Sequence, residues 1–174
     1  MRDTSHPTDH SISQDNITAR AMNPFRGKVS VFGGREVLPE DYKDTVKIGR
    51  CLAEENYLVF CGGGVGVMEA IAKGVKEGGG TSIGILKGSN RDEANDYLTL
   101  SIPTGIGVGR NVILAYNCDA AIAIGGKYGT LSEIAYTLSM DKKVVGYRTW
   151  DIENVDTASS PDEVLEKINM CIPK

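Results

Sequence analysis

Residues 122–133 of this chain read Ile122-Ala-Ile-Gly-Gly-Lys-Tyr-Gly-Thr-Leu-Ser-Glu133. The apolar run is typical of a buried strand, the glycines of a tight turn, and the residues after them of the first turn of a helix. Unpaired N–H groups at a helix N-terminus attract anions, and glycine lets a phosphate approach the backbone closely. The pattern therefore predicts an anion site, with the Thr130 hydroxyl beside it and Glu133 close to the bound ligand.

Apolar runs and helical periodicities alternate along the rest of the chain. Strands are predicted at about residues 28–34, 57–60, 81–86, 97–102, 119–124 and 142–147. Helices are predicted at about residues 39–56, 67–77, 110–116, 129–140 and 161–170. This alternation, with short connections, predicts an α/β fold: a Rossmann-like, doubly wound, mostly parallel sheet of about six or seven strands with helices on both faces.

Glycine is concentrated in the turns that follow strands. In a doubly wound sheet, ligands bind at the C-terminal ends of the strands. The glycine-rich segments expected at that edge are Gly33-Gly34, Gly62–Gly66, residues 103–110 and Gly125–Thr130. One glycine turn alone is more often only a tight connection, but two turns that each feed a helix on the same edge favour phosphate binding.

Composition bounds the organisation and the partners of the chain. Residues 1–26 are polar without a hydrophobic period, which predicts a flexible N-terminal tail, and residues 27–174 are expected to form a single domain. The net charge is −4 and no basic stripe is evident, so no nucleic-acid partner is expected. No apolar run is long enough to span a membrane. Scattered cysteines and the absence of a secretory signal pattern predict a cytoplasmic protein.

The positions of the histidines limit the kinds of catalytic and metal site that the domain is expected to contain. His6 and His10 are the only histidines, and both lie in the predicted tail. A Ser-His-Asp or Cys-His mechanism and a His-ligated metal site are therefore not expected in the domain. Acid–base work would fall to carboxylates, lysine, tyrosine or cysteine. Cys61 is interpreted as a small buried residue rather than a nucleophile.

Two common nucleotide-binding motifs are not matched. In the glycine turn at residues 62–67, Val67 stands where the third glycine of GxGxxG is required. Lys127 is followed by Tyr128 rather than by the Ser or Thr of a Walker A loop. A standard dinucleotide dehydrogenase and a P-loop NTPase are therefore not favoured.

Three motifs, taken in order, resemble those of the Lonely Guy superfamily. They are CGGGVGVM at residues 61–68, GRN at residues 109–111 and GGKYGTLSE at residues 125–133. This superfamily includes cytokinin-activating phosphoribohydrolases and molybdenum cofactor carrier proteins, and the GRN version is closer to the carriers and to uncharacterised bacterial members. The resemblance covers about residues 28–147. It implies a Rossmann-like fold, a homodimer or higher homo-oligomer, and a small phosphorylated ligand.

The resemblance also assigns roles to residues. In the phosphoribohydrolases, the arginine of the middle motif and the last glutamate of PGGxGTxxE are the catalytic pair, and these roles fall on Arg110 and Glu133. This chain has Gly125 for the proline of that motif, Lys127 for its second glycine, and Asn111 where the enzymes have lysine. The residues expected to bind phosphate or nucleotide are Gly33, Gly34, Gly62, Gly63, Gly64, Gly66, Met68, Gly125, Gly126, Lys127, Tyr128, Gly129 and Thr130.

Two functions follow from these residues, and both stay open at this point. One is hydrolysis of the N-glycosidic bond of a nucleoside 5'-monophosphate, with Glu133 stabilising the sugar cation and no cofactor required. The other is a non-catalytic carrier or sensor that holds a nucleotide monophosphate or a molybdopterin-type ligand, with Lys127 as an added phosphate partner. A dimeric scaffold with an unused pocket is a third, weaker interpretation.

Overall fold

A computed structural model describes residues 24–173 of the chain. The predicted flexible tail lies outside this range except for its last residues, 24–26. Arg26 is tied to the domain: its N–H donates to the Asn56 carbonyl (3.0 Å), and its guanidinium pairs with Glu55 and lies 5.0 Å from the centre of the Tyr57 ring.

The described residues form strands and helices in alternation. The strands are β1 (Gly27–Gly33), β2 (Tyr57–Cys61), β3 (Thr81–Leu86), β4 (Leu100–Pro103), β5 (Ala120–Ile124), β6 (Lys143–Tyr147) and β7 (Val155–Ala158). The helices are α1 (Pro39–Glu54), α2 (Val67–Glu77), α3 (Asn111–Tyr116), α4 (Tyr128–Ser139) and α5 (Pro161–Cys171). A short 3₁₀ turn at Gly107–Arg110 leads directly into α3.

All seven strands of the sheet are parallel, in the order β4-β3-β2-β1-β5-β6-β7. This arrangement confirms the Rossmann-like, doubly wound fold. The direction of winding reverses between β1 and β5. The crevice outside the carboxyl ends of these two strands is the position at which open α/β sheets bind ligands.

Two edge strands differ from the sequence prediction. β7 has no predicted counterpart, because its central residues Asp156 and Thr157 are exposed and leave no apolar run to detect. β4 begins at Leu100, three residues later than predicted. Thr99 lies just before β4, and its side-chain hydroxyl accepts a hydrogen bond from the Ser82 N–H of β3 (3.1 Å). Both differences arise where one side of a strand lacks a neighbour and pairing is weakly encoded.

β5 lies at the centre of the core and is buried on both faces. Its alternate residues Ala120, Ile122 and Ile124 join an apolar cluster with α1, α2 and α5, whereas Ala121 and Ala123 join a second cluster with α3 and α4. A strand covered on both faces carries an unbroken apolar run, which is the pattern that made this segment recognisable.

The packing of α1 on α2 depends on two glycines. A Cβ atom on Gly74 would lie 2.1 Å from the Val46 carbonyl oxygen, and one on Gly49 would lie 2.5 Å from the Ile71 carbonyl oxygen. The two helix backbones therefore approach more closely than any side chain would permit. This contact positions α2, whose N-terminus faces the switch point between β1 and β5.

Replacing Gly74 with alanine is expected to lower the free energy of unfolding by about 1–3 kcal/mol, since the added methyl group overlaps a backbone carbonyl in a packed interface. Urea unfolding followed by circular dichroism measures this change. Gly129→Ala is the matched control, because a Cβ atom there meets no atom within 4 Å and alanine favours a helix. Equal stability of Gly74→Ala and Gly129→Ala would contradict the close helix approach.

Candidate functional site

A cavity of about 470 Å³ opens at the switch point, within the range of about 300–1,000 Å³ that is usual for ligand sites. It is lined by residues that follow β1, β2 and β5, as the sequence predicted for the C-terminal edge of the sheet. The predicted site residues in its lining are Gly33, Gly34, Gly62, Gly64, Met68, Arg110, Gly126, Lys127, Gly129, Thr130 and Glu133.

The turn between β5 and α4 has the features of an anion site. Gly126 has a φ of 94°, and a Cβ atom there would lie 2.1 Å from the Thr130 hydroxyl oxygen, so the buried Thr130 side chain folds back against this glycine. Within residues 24–173, no side chain caps the N-terminus of α4. The free N–H groups of the first turn and the helix dipole therefore favour a bound anion.

The other predicted glycines shape the turns without lining the cavity. Gly63, Gly66 and Gly125 have φ angles of 76°, 75° and 51°, a region that favours glycine. A Cβ atom on Gly66 would lie 2.3 Å from the Arg35 carbonyl oxygen. Tyr128 also lies outside the lining. It is 80% exposed, and its ring centre lies 6.3 Å from that of Trp150.

Arg110 and Glu133 form a buried ion pair in the cavity wall. The distance between Arg110 Nη1 and Glu133 Oε1 is 3.0 Å, and the side chains are only 11% and 7% exposed. A Cβ atom on Gly62 would lie 2.3 Å from Arg110 Nη2, so a glycine is required where the guanidinium crosses the chain. The two residues named as a pair by the resemblance are in direct contact.

Burial raises the pKa of Glu133 from its ordinary value of 4.5 to about 7. The positive charge and the hydrogen bond of Arg110 act in the opposite direction, but they do not overcome the loss of hydration. A carboxyl group in a cleft that titrates near neutral pH is typical of functional sites.

Asn111, which the sequence marked only as a departure from the enzymes' lysine, lines the cavity. Its Nδ2 donates to Ser132 Oγ (2.9 Å), and the Ser132 hydroxyl donates to the Gly129 carbonyl (2.7 Å). These bonds tie α3 to the first turn of α4 and so fix the position of Arg110 relative to Glu133. The signal available in the sequence was the place of Asn111 beside Arg110 in the middle motif.

Charged residues at the cavity mouth were only partly expected. Lys127 Nζ lies 2.9 Å from Glu36 Oε2, and both side chains are more than three-quarters exposed. Lys87 Nζ lies 3.7 Å from Glu93 Oε1. Exposed pairs of this kind contribute about 0–1 kcal/mol to stability, so a bound anion can displace either carboxylate. Lys127 belongs to the third motif, but no motif in the sequence includes Glu36, Lys87, Glu93 or Arg35.

Cys61 lies next to the cavity but is fully buried. Burial raises the pKa of its thiol to about 11, so the thiolate is scarce at neutral pH.

Among residues 24–173, no three His, Cys, Asp or Glu side chains are grouped closely enough to hold a metal ion. In the same range, no helix is long and apolar enough to cross a membrane.

The fold and the cavity together define a Rossmann-like domain with an uncapped helix N-terminus beside the cavity at its switch point. The profile of the SLOG cluster4 family matches residues 26–171, and the chain belongs to that family. The predicted resemblance to the Lonely Guy superfamily is thereby confirmed.

Relatives of the chain include proteins of two kinds. It is 38% identical over 146 residues to an uncharacterised protein of Archaeoglobus fulgidus, covering 83% of this chain and 94% of that one. It is 30% identical over 114 residues to a probable cytokinin riboside 5'-monophosphate phosphoribohydrolase of Oryza sativa subsp. japonica. That match covers 64% of this chain and 46% of the rice protein, about half of its length.

The solved structures similar to this chain include molybdenum cofactor proteins. The molybdenum cofactor binding protein of Rippkaea orientalis superposes with a TM-score of 0.79 at 34% identity, over 83% of this chain and 96% of that chain. The molybdenum cofactor carrier protein of Chlamydomonas reinhardtii superposes with a TM-score of 0.77 at 28% identity, over 84% and 99% of the two chains.

The raised pKa of Glu133 predicts a pH-dependent stability. The folded protein holds this proton up to about pH 7, whereas the unfolded chain releases it near pH 4.5. Stability is therefore lost as pH rises between these values, by about 3 kcal/mol at 1.36 kcal/mol per pKa unit.

Unfolding free energies of wild type and of Glu133→Gln, measured from about pH 4 to about pH 8, isolate this contribution. The free energy of unfolding of the variant is expected to increase relative to that of the wild type as pH rises. A difference that does not change with pH would contradict burial as the dominant influence on this carboxyl group.

Proposed function

We propose that this protein binds a small phosphorylated ligand in the switch-point cavity and hydrolyses the N-glycosidic bond of a nucleoside 5'-monophosphate. The products are a free base and ribose 5-phosphate. The observation that carries this proposal is the placement of an uncapped helix N-terminus beside the buried Arg110–Glu133 pair in one cavity. The name of the rice relative gives further support.

The spacing along α4 suits a ribose phosphate. The 5'-phosphate would accept hydrogen bonds from the N–H groups of residues 128–130 and from the Thr130 hydroxyl. Glu133 lies about one helical turn, ~5.4 Å, further along the helix axis. A carboxylate at that distance from the phosphate is placed to face the sugar.

Cleavage would proceed through a sugar that resembles an oxocarbenium ion. The ionised Glu133 would stabilise this positive charge and orient the attacking water, whose hydroxyl joins the sugar carbon as the bond to the base breaks and whose other proton goes to the departing base. Arg110 would hold the carboxylate in place and contact the substrate through charge-assisted hydrogen bonds. Since only the ionised form of Glu133 can act in this way, hydrolysis is expected to increase as pH rises through about 7.

Replacing Glu133 with glutamine is expected to lower the release of adenine from AMP at least ~100-fold, while the affinity for AMP changes little. Glutamine keeps the size of the side chain and removes its charge. Chromatography of the products measures base release, and calorimetry measures AMP binding. Glu36→Gln is the matched control, because this exposed carboxylate at the cavity mouth has no role in the proposed chemistry.

The activity part of this proposal can fail independently of the binding part. If the wild-type protein releases no base from AMP, GMP, CMP or UMP but still binds one of them, the cavity is a ligand site without hydrolysis. If it binds none of the four, the nucleotide assignment is wrong.

A carrier of a molybdopterin-type cofactor is the second candidate, favoured by the two similar solved structures. The residues present fit such a group, since its phosphate can occupy the N-terminus of α4 and Lys127 can add a cation. Arg110 Nε is buried without a hydrogen-bond partner among the described residues, which leaves a donor in the cavity wall. Native mass spectrometry of the purified protein separates the ligands: a bound pterin supports carriage of the cofactor, and a bound nucleotide supports the nucleotide assignment, whose turnover the base-release assay then tests.

We further propose that the protein is a cytoplasmic homodimer that does not bind nucleic acid. The thiols of Cys51, Cys61, Cys118 and Cys171 are free, which suits a reducing compartment. The net charge of −4 does not favour a nucleic-acid partner. Large exposed apolar side chains occur on the layer that contains α3 and α4: Val108 is 80% exposed, Tyr116 66% and Tyr136 43%.

Replacing Tyr136 with aspartate is therefore expected to shift a dimer toward monomer, because a charge would enter an apolar interface. Light scattering measures the molar mass against the 18.7 kDa of one chain. The control is Met170→Asp, on α5 at the opposite face of the sheet and 69% exposed. A wild-type protein that is monomeric, or equal dissociation by both variants, would contradict this interface.

A further inference from the structure

Arg35 is a cation in the cavity lining for which the proposed chemistry has no role. It lies in the loop that follows β1 and carries five N–H donors. Among residues 24–173, its guanidinium forms no hydrogen bond or ion pair. The other cations of the described lining, Lys87, Arg110 and Lys127, each lie 3.7 Å or less from a carboxylate oxygen.

The loop that holds Arg35 contacts both the α4 turn and the β2–α2 turn. The backbone of its neighbour Gly34 abuts the α4 turn, since a Cβ atom on Gly34 would lie 3.5 Å from Gly126 Cα. From there the Arg35 side chain extends toward the β2–α2 turn, where its Nη2 lies 3.9 Å from the position of a Cβ atom on Gly64. Gly64 has no side chain to obstruct access to this guanidinium.

We propose that Arg35 binds a second phosphate group of the ligand, so that a nucleotide that carries a further phosphate besides its 5'-phosphate is bound more tightly than the simple nucleoside monophosphate. This inference rests on the proposed function, in which the N-terminus of α4 holds the first phosphate. A planar guanidinium binds phosphate through paired, charge-assisted hydrogen bonds, and Arg35 has no protein carboxylate to displace. The surrounding pairs Lys127–Glu36 and Lys87–Glu93 neutralise the rest of the cavity mouth and leave Arg35 as the site of net positive charge.

Calorimetric titration with AMP, ADP and adenosine 3',5'-bisphosphate tests this assignment. The wild-type protein is expected to bind at least one of the two doubly phosphorylated ligands about tenfold more tightly than AMP, since a charge-assisted hydrogen bond is roughly twice as strong as a neutral one. A gain in affinity with ADP would place the second phosphate directly after the first. A gain with adenosine 3',5'-bisphosphate would place it on the 3' side of the ribose.

Arg35→Gln is expected to remove this gain and to leave the affinity for AMP unchanged, whereas Arg35→Lys keeps part of it. The matched control is Arg91→Gln, an exposed arginine outside the cavity lining, which is expected to behave like the wild type. Circular dichroism of each variant verifies that it is folded.

Each result has a defined meaning. AMP binding without any gain from a second phosphate, or a gain that survives in Arg35→Gln, overturns this inference alone. A loss of AMP affinity in Arg35→Gln as large as the loss for the doubly phosphorylated ligand also overturns it, because Arg35 would then belong to the first phosphate site. If the wild-type protein binds none of the three nucleotides, this inference fails for adenine nucleotides, and the proposed function is then decided by the binding of GMP, CMP and UMP.

Discussion

The buried pair of Arg110 and Glu133 is the constraint around which the site is arranged. Removing two charges from water is costly, and the cost is offset only by close mutual contact and further hydrogen bonds. The contact of 3.0 Å provides the first condition. Several neighbours serve the second: Gly62 leaves room for the guanidinium, and the Asn111–Ser132 bonds hold the two helices in register. The raised pKa of Glu133 shows that the offset is incomplete, so this carboxyl group is sensitive to any charge that a ligand brings.

The same geometry would serve both of the proposed functions, hydrolysis and carriage, because each would begin with a phosphate at the N-terminus of α4. They differ in whether a sugar carbon lies against an ionised Glu133. Asn111 is neutral where the resemblance places lysine in the enzymes, and its amide is used to join α3 to α4. Lys127 stands where that motif has glycine, and its ammonium group places a positive charge at the cavity mouth. These two departures change the charge around the proposed phosphate site and leave the Arg110–Glu133 pair in place.

The central strands and the glycine turns were predictable, because their signals are local. β5 was recognisable as an unbroken apolar run, and the turn after it by Gly125 and Gly126. β7 was missed because an exposed edge strand has neither property. The place of the α4 N-terminus beside the cavity followed from the strand–turn–helix pattern, whereas the roles proposed for Arg110 and Glu133 rest on a resemblance to a family. Nothing in the pattern of residues distinguished Arg35 from an ordinary exposed arginine.

What the order of residues determined was therefore the α/β class, the parallel sheet and the edge of the sheet at which the cavity lies, since side-chain periodicity and turn chemistry act over a few neighbouring positions. The electrostatic character of the site was decided by the folded chain. Arg110 and Glu133 are 23 residues apart, and Lys127 and Glu36 are 91 apart. Whether such charges are paired, buried or left alone, as Arg35 is, depends on distances that exist only after β1, β2 and β5 have been brought side by side.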